Sequence, residues 1–473
     1  MTATTPAPRR VLFVGAYERD NFGDLLFLLV SEQYLAEAGY DVVAAAPLAA
    51  DMSDLLDRKV DAFVPRLEQE RFDQVWTVGG EVGATGVSTA IWMSVPSATY
   101  RRYKAASEPE QAAMRAELLG ATDIESPYMP RLSQFPLNAG VPAVLNSVGV
   151  AGIKGKDPAR REVLLRILRE ASAVSVRDHL SSELLAEHDV AHTLVPDVVH
   201  TIRYTHPRPE GEQGSGAALV QANRKFLAQH GIEKVAEALV ASSALAPYPL
   251  RLFAAGLAPN HDSFGDYAKI VAAVRRLDPE RDIEVLRGSR RPWDLVDEIR
   301  RASLWIGGSL HGRIVSAAYD VPRLSLPKRK LDAYARTWDP HMPYGTTLDS
   351  LDADVRRALS PETRAAAADT GERLAALADA NIRAAIARAR AATPEETTAR
   401  RFEAAQQAIA DRDRRAQEVE AELTRRLTAL ESESLASVVA RRGRAEARSA
   451  LRPARRVAGR VVRKVRSARD ARD

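Results

Sequence analysis

At 473 residues and 45% hydrophobic content the chain is globular but too long for one ordinary core, so two domains and an appendage are expected. Zero cysteines exclude disulfides, thiolate zinc sites and cysteine nucleophiles, and no apolar run reaches the roughly 18 residues of a membrane-spanning helix. The net charge of +4 is unevenly spread: residues 441–473 hold 13 basic and 3 acidic residues, +10 against −6 for the remainder, so attraction to anionic partners belongs to that tail.

The first segment, Met1 onward, has a short apolar run soon followed by Glu18, Arg19 and Asp20 and no small-residue cleavage site, which predicts a cytoplasmic protein. Strands are expected near 11–15, 42–46, 74–78, 143–148, 172–176 and 192–195, with helices near 24–38, 158–170 and 178–188. Such alternation predicts a parallel sheet with helices on both faces, a Rossmann-like doubly wound domain over residues 1–208. Residues 84–140, broken by Pro96, Pro109, Pro127, Pro130 and Pro136, read as helices and loops over a cleft.

Pro and Gly cluster at 205–216 without apolar periodicity, which marks a linker. A second doubly wound set is expected over 209–350, with strands near 217–221, 250–254, 282–286, 303–307 and 322–326 and helices near 225–243, 264–276, 293–301 and 310–319. Two such domains place ligands in a crevice at the carboxyl ends of their strands. From about 352 the chain turns rich in Ala, Arg and Glu, and a helical extension over 351–440 is expected, one helix from Thr363 to Ala391 and another from Pro394 to about Val439. In the latter Phe402, Ile409, Ala416, Leu423 and Leu430 are spaced by seven, while the companion heptad positions hold Ala405, Arg412, Val419 and Arg426, so the helix reads either as a weak coiled coil that would serve a homo-oligomer or as a solvated helix. In the tail, Ala454, Val457, Ala458, Val461, Val462 and Val465 share one face among arginines; the segment reads either as a disordered, solvated tail or as an amphipathic helix suited to an anionic membrane surface at the inner face of the cell membrane, rather than as a nucleic-acid binder.

Several strand-to-helix corners carry candidate chemistry. Asn21-Phe22-Gly23-Asp24 follows the first strand; Asp24 can cap the next helix, or Asn21 can bind a hydroxyl whose proton Asp24 accepts. Gly79 and Gly80 end another strand and let a ligand approach the backbone, Asn146 ends a further one, and Arg177 sits beside Asp178 with Asp197 as its alternative partner. Gly307-Gly308-Ser309-Leu310-His311-Gly312-Arg313 runs from a strand into a helix. A terminus of that kind welcomes an anion beside His311, with Arg313 one turn from Ser309 and able to reach the space next to it.

Asn-x-Gly-Asp after the first strand, Gly79-Gly80, Ser175-Val-Arg-Asp178 and above all Ser309-Leu-His-Gly312 followed by a helix and Val321-Pro322 resemble the polysaccharide pyruvyl transferase family over roughly residues 10–340. The resemblance implies a glycosyltransferase-B-like pair of domains and transfer of pyruvate from phosphoenolpyruvate, as co-substrate, to a sugar hydroxyl of a polysaccharide or lipid-linked precursor, forming a ketal without a cofactor or metal. It implies His311 as general acid at the donor site with Ser309, Gly312 and Arg313, and Asn21 and Asp24 on the acceptor side with Gly79, Gly80, Asn146 and Arg177. Where many relatives carry arginine two residues before the histidine this chain has Ser309, so Arg313, Arg224, Arg287, Arg290 or Arg291 would clamp the donor phosphate; Glu81 stands where a third glycine is common. A nucleotide-sugar glycosyltransferase of the same architecture and a catalytically silent membrane-associated assembly subunit are the alternatives.

Overall fold

A computed structural model of the protein describes residues 9–432 other than Ala84 and Asn260. The first sheet comprises Arg9–Val14 (β1), Tyr40–Ala46 (β2), Ala50–Asp51 (β3), Lys59–Ala62 (β4), Gln74–Val78 (β5), Ala143–Val148 (β6), Ala173–Val176 (β7) and Thr193–Leu194 (β8), in the order β3-β4-β2-β1-β5-β6-β7-β8. Its pairs are parallel except β3 with β4, a short edge element that sequence periodicity does not reveal. The second sheet comprises Ala218–Gln221 (β9), Leu250–Leu252 (β10), Ile283–Val285 (β11), Leu304–Gly307 (β12) and Arg323–Ser325 (β13), all parallel, in the order β11-β10-β9-β12-β13. Strands such as β5 and β12 are buried along their whole length because helices cover both faces. Each order reverses beside the first strand of its sheet, β1 or β9, and the crevice at that reversal is where doubly wound sheets bind ligands.

The two domains are docked through side chains rather than held by a linker alone. Phe22 meets Phe253 edge-on at 5.8 Å and Phe253 meets Trp305 at 5.3 Å, joining the helix Phe22–Glu37 to the second sheet in one apolar cluster. Arg290 pairs with Asp20 and Arg291 with Asp57 across the seam. An apolar interface of this kind holds the crevice in a closed geometry.

The helical region departs from the expected division at 351. Leu351–Leu359 buries Leu351, Val355 and Ala358 in the second domain's core, whereas Thr370–Ala391 crosses back to the first, where Tyr34 donates to Asp379 at 2.8 Å. Residues through Ala405 therefore belong to the same compact unit as the two sheets. The expected helix from Thr363 is broken between Pro361–Ala366 and Thr370–Ala391. The break seats Gly371, where a Cβ would lie 2.5 Å from Asp320 and 2.6 Å from the Ala317 carbonyl. The expected helix at 225–243 is likewise two, Arg224–His230 and Ile232–Ala241, parted by Gly231 at φ 85°. Pro394–Ser432 is one helix and leaves Phe402, Ile409 and Leu423 exposed; the 441–473 segment lies outside the described residues. Among the described residues no helix is long and apolar enough to cross a membrane.

Candidate active site

β12 ends at Gly307, and Ser309 then caps the helix Leu310–Ala318 by accepting from the Gly312 amide at 3.2 Å. Gly312 lets that helix lie on Trp305, whose ring would be 1.9 Å from an added Cβ. This close packing aims His311 across the seam at the first domain. Its ring stands edge-on to Phe27 at 4.8 Å, and Gly23 is in contact with Nδ1, since a Cβ there would lie 1.8 Å away. Nε2 is buried, has no hydrogen-bond partner and lies 3.9 Å from Asp197 Oδ2. Asp197 in turn accepts from Arg177 at 2.9 Å and donates its amide to Tyr334 at 3.0 Å. Burial, then Arg177, Lys330 and Lys328, hold the imidazole well below the usual histidine range, so it is neutral until an anion offsets those cations.

The facing corner belongs to the loop after β1. Asn21 donates to Asp24 Oδ2 at 2.9 Å and Arg19 donates to the same oxygen at 3.1 Å. Arg19 also donates to the Tyr128 hydroxyl at 2.9 Å and lies 3.5 Å from Glu18, whose carboxyl is pushed up by burial against the opposing pull of Arg19 and Ser94. Tyr128 and Ser94 come from residues 84–140, so that poorly readable segment braces the Asp24 corner. Helices Val87–Ser94, Ser97–Ala105 and Glu108–Leu119 make up its first part.

Between the domains lies a cavity of about 520 Å³ that reaches Gly308, with Glu81, Asp178 and Leu180 on the first-domain wall and Lys225, Phe226, Lys328, Arg329 and Lys330 on the second. Among the described residues none of these lysines makes an ion pair. Burial and then Lys330 and Lys225 bring the Lys328 ammonium down to about 7. Lys330 remains open to cleft water although protein walls surround it, and its ammonium is also lowered, by burial first and then by Arg177. Sequence reading missed these groups; the signal was the run Pro327-Lys328-Arg329-Lys330 directly after a buried strand.

A family model for polysaccharide pyruvyl transferases matches residues 21–327, from Asn21 through both sheets to the pocket wall. The chain belongs to the polysaccharide pyruvyl transferase family. It is therefore a transferase, built as two facing doubly wound domains with a helical C-terminal region. No curated protein matches it. Solved structures similar to this family member include a UDP-GlcNAc 2-epimerase from Neisseria meningitidis bound to UDP-GlcNAc, at 11% identity and TM-score 0.46, covering 79% of this chain and 98% of that one. One from Methanocaldococcus jannaschii in complex with UDP-GlcNAc and UDP has 9% identity and TM-score 0.46, covering 78% and 99%. A spinosyn forosaminyltransferase has 14% identity and TM-score 0.36, covering 84% and 98%.

In this pyruvyl transferase family member the residues expected at the site divide sharply. His311, Asn21, Asp24 and Arg177 converge at the seam, joined there by Arg19, Gly23 and Asp197. Asn21 and Asp24 bond to each other, and Arg177 has its Asp197 partner rather than standing free. Gly79 and Gly80 have the positive φ that favours glycine, and Gly79 lies against Phe27, which would be 2.0 Å from a Cβ. Arg313 does not reach the space beside Ser309. It turns into the second domain, where it pairs with Asp339 at 2.8 Å and donates to Ser325 and to the carbonyls of Asp339, Met342 and Pro343. Asn146 is not at an open rim: it is covered by the crossing helix, and Asn381 donates to its Oδ1 at 2.6 Å. Arg224 is an exposed residue 3.5 Å from Asp266 and outside the cavity wall, Arg287 lies over Phe264, and Arg290 and Arg291 are engaged across the domain seam.

Proposed function

We propose that the protein transfers pyruvate from phosphoenolpyruvate to two hydroxyls of a sugar in a cell-envelope polysaccharide precursor, at the donor site around His311. The observation that carries the reading is the convergence of one unpartnered imidazole nitrogen with Arg177, Lys328 and Lys330 at the end of a strand-to-helix corner. An anion bearing phosphate and carboxylate groups neutralises those cations and thereby favours a proton on His311. That proton goes to the donor's methylene carbon, which becomes a methyl group while C2 becomes electrophilic. A first sugar hydroxyl adds to C2 and gives its proton to Asp24; the C2–O bond to phosphate then breaks, a second hydroxyl adds at C2, and its proton leaves with inorganic phosphate. Arg19 and Asn21 hold the Asp24 carboxylate in place for the first addition. The proton on Asp24 returns to His311 through solvent, so donor and diol yield ketal and phosphate with atoms balanced.

Phosphate release from phosphoenolpyruvate in the presence of an acceptor glycoside tests the assignment. His311→Ala and Asp24→Asn are each expected to lose about 10²–10⁴-fold in kcat, the scale of general acid–base catalysis. Undiminished turnover in His311→Ala refutes it. A nucleotide-sugar glycosyltransferase would instead be stabilised against unfolding by a nucleotide sugar and not by phosphoenolpyruvate. A silent assembly subunit would be stabilised by neither.

A further inference from the structure

Resting on that donor assignment, we infer that Asp197 is a positioning residue for the transfer: its carboxylate keeps the ring's permanent proton on His311 Nε2 and leaves Nδ1 as the nitrogen that delivers a proton to the donor. The two nitrogens stand in different surroundings. Nε2 is buried, has no hydrogen-bond partner among the described residues, and faces Asp197 Oδ2 at 3.9 Å. Nδ1 makes no hydrogen bond among those residues either, yet it is not sealed. It lies beside Gly23, whose missing side chain keeps that edge of the ring clear, and the next residue along is Asp24. A carboxylate only accepts hydrogen bonds, so the nitrogen facing it must carry hydrogen; a bare Nε2 would set lone pair against lone pair. Drawing in by about 1 Å makes an ordinary N–H···O bond, the tightening that catalytic contacts undergo when substrate binds.

The carboxylate is held in place independently of His311. Its Oδ1 accepts from the Val199 amide at 3.1 Å and its Oδ2 from Arg177 at 2.9 Å. The Asp197 amide donates to the Tyr334 hydroxyl, which is bonded in turn to His200 Nε2 at 2.9 Å. The preceding carbonyl, of Pro196, accepts from Ser147 Oγ at 2.8 Å, and Ser147 is a buried residue at φ 60°, a conformation that a side chain makes costly and that functional sites retain. A carboxylate fixed on several sides need not rearrange when the imidazolium forms. Its charge also stays beside the ring among Arg177, Lys328 and Lys330, the cations that resist a second proton there. In the transfer the Nδ1–H bond breaks, its electron pair stays on Nδ1, and the donor's C=C electron pair makes the new C–H bond. The ring is left neutral with Nε2–H still on Asp197, and Nδ1 regains its proton from Asp24 through solvent.

Nitrogen-15 NMR of the full chain with labelled histidine reads the tautomer directly, and the signals lost in His311→Asn identify the ring among the nine histidines. Near neutral pH the wild-type ring should carry hydrogen on Nε2 and none on Nδ1, and saturating phosphoenolpyruvate without acceptor should add the second proton at Nδ1. In Asp197→Asn the Val199 amide keeps the side-chain oxygen at the Oδ1 place, so the new amide nitrogen faces Nε2. The ring should then turn over to Nδ1–H, and kcat should fall about 10²–10⁴-fold, the scale on which a wrong histidine tautomer or a lost general acid acts. A residue that only supported the fold would lower stability without reversing the tautomer. The wild-type spectrum decides the matter even where Asp197→Asn does not fold. Hydrogen on Nδ1 in the neutral wild-type ring, or an unchanged Nε2–H tautomer in folded Asp197→Asn, overturns the inference. An Nε2–H tautomer that depends on Asp197 but does not respond to phosphoenolpyruvate refutes the donor reading and leaves the pairing standing.

Discussion

Gly23→Ala is the smallest change that moves His311 without altering it. Gly23 lies in the first turn of the helix Phe22–Glu37, and a Cβ there would lie 1.8 Å from Nδ1 and 2.3 Å from Cγ of the imidazole. To restore an ordinary contact the ring must retreat from 1.8 Å to at least 3.4 Å, about 1.6 Å, with Phe27 packed edge-on beside it. Overpacking costs about 1–3 kcal/mol and alanine's better helix propensity returns about 1, so the net loss of stability is about 0–2 kcal/mol. Catalysis should suffer far more, since a misplacement of about 1 Å at a reacting group costs about 10²-fold in rate. Phosphate-release kinetics beside urea unfolding separates the two effects. In the double variant Gly23→Ala/His311→Ala the clash is gone, so alanine at 23 should no longer destabilise, while activity stays at the His311→Ala level. Turnover of Gly23→Ala within about twofold of wild type would refute the reasoning, because the ring's position would then not matter to the reaction.

Three further outcomes follow from the geometry. Because burial brings Lys328 down to about 7, it is charged below that pH and loses its charge above it, so the donor's KM should climb toward about tenfold per pH unit as pH rises past 7; Lys328→Arg keeps its charge and flattens the profile, and a wild-type KM constant between about pH 6 and 9 contradicts this. Arg313→Met leaves Asp339 paired with Arg323 but takes the donor from Ser325 and from the carbonyls of Asp339, Met342 and Pro343 in the second domain's interior, and should cost about 1–3 kcal/mol in a denaturant melt with no selective rise in donor KM; a raised KM at unchanged stability would restore Arg313 to the donor site. Asn381→Leu leaves Asn146 and Ser175 facing an apolar group and should cost about 1–3 kcal/mol with kcat unchanged, which the same two assays check.

All strands but β3 and β4 were legible, with their order along the chain, because buried parallel strands are short, largely apolar runs between turn residues, and His311 was legible because Gly307-Gly308-Ser309 marks a strand-to-helix corner. The direction of a side chain beyond such a corner was not. Arg313 shares the helix with His311, yet it turns inward because Asp339 and three carbonyls from distant loops accept its donors, partners that local spacing does not reveal. Asn146 ends a strand as expected, but a helix more than two hundred residues later covers it, and nothing in the Ala-rich pattern of 370–391 distinguishes that from a solvated helix. The lysines of the cavity were hidden for the opposite reason: a basic run after a strand is usually solvated, and only the apposition of the two domains turns Lys328-Arg329-Lys330 toward a shared cavity. The braces on Asp24 were unreadable because Tyr128 and Ser94 come from the proline-interrupted segment.

Running the reaction in deuterium oxide and weighing the transferred group measures proton delivery itself. A single deuterium in the new methyl group, appearing with wild-type protein and lost along with phosphate release in His311→Ala, is the expected result. Phosphate release without deuterium at that carbon, or labelling that persists in His311→Ala at the wild-type rate, contradicts the account.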